Sequence, residues 1–521
     1  METRSAKRKK LLDASSKERP RNEKKDRISD LPDDILHHIF FFLPIKSIAQ
    51  TSVLSKRWKN LWYSFPDLDF TTFSAPANPA SNIVISSSIK GRKGSRSYAS
   101  KGTDEYIDQI LSLIEKHSDI RVLRFRAFLS FSRLAGLIRN AVKHNVQELD
   151  VEVSTCDYFN FPRSIMYSGT LRALRLKSWN PGFRLPPVQI MKDGFRSLSM
   201  LSLSRPILHD QPSLVNLFTH SSFPLLKNLH LESCSGLKHL RVECPALQDL
   251  CLESCLQLQD LEICGRRLER LRVSSCFDAY SISSRVRIDA PTLQIMLWSF
   301  NAITEECLLC NLTCLHEVFV NFFLLQEDLS AAKIQSLSNF LTGISYCQSL
   351  TLESQCIEIL STNNRFAGVA SLCPFNKLKS LELSTGFNKH NNPGLASLFR
   401  SCSTIHTLII KIVGDYNAER RQWNKDLWQS PSSGEERYWE SQTQSLKSFL
   451  HHLNVVKIHG FTECANDVSL VKFLLKHGKV LQQLFLCTSI SKPRDSLLRE
   501  KIKSQIMGFS RASSKAKIFF Q

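Results

Sequence analysis

Catalytic motifs are missing from these 521 residues. There is no Gly-x-x-x-x-Gly-Lys phosphate loop, no Gly-x-Ser-x-Gly elbow, no His-Glu-x-x-His and no paired zinc knuckles. The fifteen histidines are scattered, and no cysteine stands in a pattern that pairs it with an activating histidine. Long apolar runs are absent too: nothing reaches the roughly 20 residues a membrane helix needs. No apolar segment follows the opening METRSAKRKK, so a secretory leader is not expected. The expectation is a soluble, intracellular, non-catalytic chain (nucleus, cytoplasm or both) that needs no cofactor and no metal.

Acid is also in short supply: 48 Asp and Glu face 68 Lys and Arg, a net charge of +20. Its placement matters more than its size. Residues 1–27, 86–103 and 491–521 together hold +17 of it, so the remainder is nearly neutral. A groove-binding protein would concentrate charge on one rigid face. Residues 1–26 read as a disordered basic tail, in which Lys7, Arg8, Lys9 and Lys10 are a candidate nuclear-import signal. Residues 73–105, rich in Ser, Gly, Pro and Lys, read as a flexible basic linker.

Sixteen cysteines do not imply disulfides here, because most sit inside leucine-rich strand patterns such as HLESC (230–234) and LCLESC (250–255). In a reducing compartment they act as small apolar residues. The group Cys307, Cys310, Cys314 and His316 has one spacing that permits zinc. It lacks a second pair, and leucines interleave it, so core packing is expected.

Residues 27–65 carry more large apolar side chains than a solvated helical hairpin tolerates, in too short a span to bury them alone. Leu31-Pro32-Asp33-Asp34 opens a first helix, with two carboxylates at the positive end of its dipole. Ile35, Leu36, Ile39, Phe40 and Leu43 follow at helical spacing before Pro44. Ser55 is placed to cap a last helix that displays Trp58, Leu61 and Trp62. Such a segment is built to be completed by another surface.

This series, continued by Val53-Leu54-Ser55-Lys56-Arg57-Trp58 and Leu61-Trp62, resembles an F-box, and VLSKRWKNLW looks like its plant branch. The resemblance implies docking on a Skp-type adaptor and, through it, a cullin scaffold carrying the ubiquitin-transfer machinery. On that basis the adaptor-binding residues are Leu31, Pro32, Ile35, Leu36, Ile39, Leu43, Leu54, Trp58, Leu61 and Trp62, with the two tryptophans as anchors.

Beyond the linker a repeat emerges. The unit L-x-x-L-x-L recurs at Leu171, Leu198, Leu226, Leu237, Leu247, Leu258, Leu268, Leu315 and Leu378. Period-two alternation inside each unit predicts a short strand. Widely spaced copies leave room for an outer helix. Between 226 and 273 the steps alternate between eleven and ten residues, too few for a helix, so strands are expected on both faces of a 21-residue coil. The fold class is therefore α/β: a three-helix F-box (27–72) followed by a leucine-rich-repeat horseshoe (106–436) with a tight all-strand section near 226–273.

Residues 414–442 interrupt the repeat with Trp423, Trp428, Tyr438 and Trp439, and part of this stretch is expected to pack down as a cap on the repeat array. Residues 437–490 resemble the FBD module of plant F-box proteins through Phe449-Leu450-Leu453, Gly460-Phe461, Phe473-Leu474-Leu475 and Val480-Leu481. Glu463 stands where that module usually has glycine. Residues 491–521 read as a basic C-terminal helix and tail, with Leu497, Leu498, Ile502 and Ile506 forming a stripe that docks on the repeats. Together these resemblances imply the substrate-recognition subunit of a Skp–cullin–F-box ubiquitin ligase, whose repeats bind a target protein. Two rival readings stand beside it. One is a repeat scaffold holding nucleic acid or chromatin through basic tails; the other is an F-box protein working without ubiquitin transfer.

Overall fold

The computed structural model describes residues 28, 30–71, 108–323 (apart from 156, 180, 193, 209–212 and 281–282), 330–363, 374–385, 391–413, 433–461, 465–488 and 496–521. Lys7 to Lys10, the linker call over 73–105, Trp423 and Trp428 thus lie outside or almost wholly outside the described residues, as does Glu463.

One sheet dominates. Sixteen strands, from Asp67–Asp69 to Lys517–Phe520, follow one another in chain order, each parallel to the next. The leucine spacing explains the register. In Asn228–Glu232, Asp249–Glu253 and Arg270–Ser274 every second residue points inward. Leu229 lies beside Leu250 and Leu250 beside Leu271, so identical positions stack into one apolar wall. A one-residue slip would turn that wall to solvent, which is why the register is firmly specified.

The expected two-faced section is present and longer than its leucines indicated. A second parallel sheet runs through Phe218–Thr219, His239–Glu243, Asp260–Cys264, Arg285–Asp289 and Glu306–Cys310. Its last two strands, RVRID and ECLLC, lack the leading leucine triplet and so escape the repeat pattern. Elsewhere helices cover the back of the long sheet, among them Phe131–Lys143, Ala331–Gly343, Asn392–Ser401 and Ala465–His477.

Serines make the turn out of each tight coil. Ser233, Ser254 and Ser275 adopt left-handed backbone with φ of 53°, 55° and 52°. Each donates its N–H to the next coil, at Glu253 (2.7 Å), Ser274 (2.8 Å) and Ser299 (2.9 Å) respectively. Cys234, Cys255 and Cys276 follow them, buried and unbridged, with the Cys276 thiol 3.4 Å from the Leu252 carbonyl. Where the coil widens, the buried side chain of Asn301 takes over. It accepts from the Cys276 N–H at 2.8 Å and donates to the Val273 carbonyl at 2.8 Å. Cys307 and Cys310, three apart on a strand, point to opposite faces, so the C-x-x-C pair does not converge.

Three readings change on contact with the structure. The N-terminal helices do not wait for a partner to build all of their core, because their inner face joins the hydrophobic core of the repeats. The last residues are not only helix and tail: Lys517–Phe520 pairs with Gln483–Thr488 as the sixteenth strand. Trp439 is fully buried, yet it sits within the array against Phe399 and Phe473 rather than as an end cap. In the C-terminal helix Ser496–Met507, Ile506 is buried, as the stripe required; the side chains of Leu497 and Leu498 lie outside the described set. Gly460 bends its strand at φ 73°, and a Cβ there would lie 2.6 Å from the Ile412 carbonyl, so glycine is needed.

Candidate functional site

Three short helices form the site: α1 (Asp33–Phe41), α2 (Ile45–Thr51) and α3 (Lys56–Ser64). Pro32 and Pro44 precede α1 and α2, where a missing N–H costs nothing. The Ser55 side chain caps α3 by accepting from the Trp58 N–H at 3.3 Å. Arg57 then ties the helices together. Its guanidinium donates to Asp33 at 2.6 Å and to the Leu31 carbonyl, clamping the start of α3 to the start of α1. His37 lies between helices, within 3.2 Å of the Leu61 carbonyl and 3.1 Å of the Ser64 hydroxyl.

The ten sequence-selected residues divide into two groups. Leu36, Leu61 and Trp62 are buried in the chain's own core, together with Phe40, Ile45 and Ile48. Trp62 meets the ring of His117 edge-on at 5.0 Å, where the N-terminal helices join the repeats. Burial in that contact holds the His117 imidazole below its ordinary range, against the opposing pull of the Leu113 carbonyl. In the free chain these three side chains are therefore already packed inside the fold. Ile35, Ile39, Leu43 and Leu54 lie on the outside, with Pro32 exposed and Leu31 and Trp58 half-buried. Trp58 leans on Phe40, ring centroids 5.9 Å apart.

Spacing missed three neighbours that the structure adds to the outer face: Phe41, Phe42 (72% exposed) and Val53 (85% exposed). The visible sign was there, a run of three phenylalanines ahead of Pro44, but periodicity assigns such a run no single face. Monomeric proteins scatter exposed apolar residues singly; seven within 20 residues mark a surface made for contact.

Two other regions carry polar chemistry. A cavity of about 490 Å³ beside helix Phe131–Lys143 is lined by Phe131, Arg139, Phe161, Arg163 and Arg184, with no carboxylate among the described residues that line it. The open face of the long sheet, opposite the helices, begins as a ladder of ion pairs: Asp69–Arg124 (3.4 Å), Asp150–Arg175 (3.7 Å) and Glu152–Arg126 (2.6 Å). Further along, His230, Cys251 and Glu253 come together; sequence spacing gave no hint of them, because their strands are neighbours only through the 21-residue coil. Burial first, then the hydrogen bond to Glu253, pushes the Cys251 thiol up to about 12. Among the described residues no helix is long and apolar enough to cross a membrane.

Comparison with known proteins agrees along the chain. An F-box domain model matches residues 28–69, an LRR domain model of the At1g61320/AtMIF1 type matches 113–275, and an FBD model matches 442–486. A protein of Arabidopsis thaliana provisionally named F-box/FBD/LRR-repeat protein At4g03220 is 48% identical over 499 residues, covering 95% of both chains. The FBD-associated F-box protein At5g27750 of the same plant is 25% identical, covering 88% of this chain and 91% of its own. F-box/LRR-repeat protein 25, also from Arabidopsis thaliana, is 30% identical over 41% of this chain and 70% of its own.

Proposed function

We propose, from the premise that the chain belongs to the F-box/FBD/LRR-repeat family of plant proteins, that it is the substrate-recognition subunit of a Skp–cullin–F-box ubiquitin ligase. The family carries a substrate-adaptor role of this type in general. The finer reading rests on one observation. The outer face of α1 and the α2–α3 connection leave Ile35, Ile39, Leu43, Val53 and Leu54 exposed, while the inner face is closed by the chain's own repeats. A rigid apolar patch, held in shape by Arg57 and Ser55, is the half of a helical interface that a Skp-type adaptor would complete. Leu31, Pro32 and Trp58 would flank that patch, and the cullin would be reached through the adaptor.

On this reading the chain supplies no acid, base or nucleophile. It holds a target protein on the open face of the sheet, near the ubiquitin donor, and raises effective concentration. Residues 27–72 would be the docking unit, 106–436 the repeats and 437–490 the FBD-like continuation of the same sheet. Co-expression with a plant Skp-type adaptor followed by size-exclusion chromatography tests the first step. Co-elution supports the reading. A folded chain that elutes alone defeats it, leaving the helices as the end of a repeat scaffold. A target whose half-life depends on this protein would then separate ubiquitin transfer from assembly without it.

A further inference from the structure

We infer that His230, Cys251 and Glu253 form a binding site for a zinc-type divalent ion on the open face of the sheet, independent of the adaptor role proposed above. Each residue comes from the two neighbouring strands Asn228–Glu232 and Asp249–Glu253. His230 and Cys251 are direct partners in the parallel register. Glu253 stands two residues beyond Cys251, and residues two apart on a strand share a face. Three different donors therefore converge from one surface: an imidazole, a thiol and a carboxylate.

The distances suit one ion. Cys251 Sγ lies 3.2 Å from Glu253 Oε1, and His230 Nε2 lies 3.8 Å from Glu253 Oε2. All three donor atoms fall within 4.8 Å of one another. Ligand bonds of about 2.0–2.3 Å in a tetrahedral zinc site place donors about 3.3–3.8 Å apart, so the set closes on an ion with small side-chain rotations.

Each ligand that needs orienting has a neighbour in place. Ser202 Oγ is 3.3 Å from His230 Nδ1. With Nδ1–H donating to that oxygen, Nε2 carries its lone pair toward the cluster, and Nε2 is shielded from water without a hydrogen-bond partner. Arg272 Nη1 lies 3.3 Å from Glu253 Oε1, the same oxygen that faces Cys251 Sγ, and fixes the carboxylate from the next strand. It also contributes a positive charge that moderates affinity. The donor set of one soft thiolate with imidazole and carboxylate favours zinc over calcium or magnesium. Binding displaces the thiol proton to solvent as the Zn–S bond forms, with no oxidant or reductant involved. Three protein ligands leave a fourth position toward the open face, available to water or to a side chain of a bound partner.

The test uses the full-length chain, stripped with chelator and titrated with Co²⁺ as a spectroscopic probe and Zn²⁺ by calorimetry. The expected result is one equivalent of metal with a near-ultraviolet thiolate-to-cobalt band. That band should vanish in Cys251→Ser and persist in Cys264→Ser, a half-exposed cysteine of the second sheet. His230→Gln should lose binding, and Ser202→Ala should weaken zinc about 10- to 100-fold, as removal of a ligand's orienting partner does. Circular dichroism of each variant separates lost metal from lost fold. Absence of the band in the native chain, or its persistence in a folded Cys251→Ser variant, overturns the inference.

Discussion

Replacing Ile35 and Leu54 together by alanine should weaken adaptor binding about 100-fold and leave the fold untouched. Each change removes three carbons, at about 0.8 kcal/mol for each one fully transferred from water. Ile35 is 47% and Leu54 68% exposed in the chain alone, so docking has only those fractions left to bury. That scales the losses to about 1.1 and 1.6 kcal/mol, together about 2.7 kcal/mol, or two decades in Kd. Trp62→Ala is the counterpart from the inner face. It removes a ring packed on His117 and should cost about 3–5 kcal/mol of stability. The assay pairs calorimetric titration with a Skp-type adaptor and thermal unfolding of the free chain. The reasoning fails if the double variant binds within twofold of the native chain, or if it lowers Tm as much as Trp62→Ala does.

Burial keeps the His117 imidazole neutral, so the stability it gives is complete above the unfolded value of about 6.5 and lost as pH falls below it. Tm should drop as pH falls below about 6.5 in the native chain and drop less in His117→Phe; equal slopes would exclude this residue as the cause. A protease site inserted between residues 72 and 107 should yield two fragments that still co-elute, because Asp67–Asp69 pairs with Val122–Phe128 across the cut. Separation of the fragments without denaturant would contradict the shared core. Asn301→Ala should destabilise by about 1–3 kcal/mol, since it strips partners from the buried N–H of Cys276 and the carbonyl of Val273. An unchanged denaturation midpoint would show that water takes over those bonds. At the turn serines, Ser254→Gly should be neutral or better and Ser254→Val clearly worse, because φ of 55° suits glycine and penalises a β-branched side chain.

Much of this protein was legible in its amino-acid sequence because the information was local and periodic. Helical spacing over Ile35, Leu36 and Ile39 made α1, and Ser55 made the cap of α3. Alternating leucines made strands, and an eleven-and-ten rhythm made a coil too short for a helix. Each of these depends on neighbours within a turn or a coil. Tertiary structure alone decided which side of each helix was already occupied: Leu36, Leu61 and Trp62 look like Ile35 and Leu54 in the sequence, yet the chain's own core buries the first three and leaves the other two outside. It also made Lys517–Phe520 a strand, since an edge strand forms only where another edge is waiting. And it set His230 beside Cys251, two residues 21 apart whose meeting depends on the length of the coil between them. Position along the chain dictated the elements; the faces those elements turn to one another and to solvent were fixed only when the coil closed.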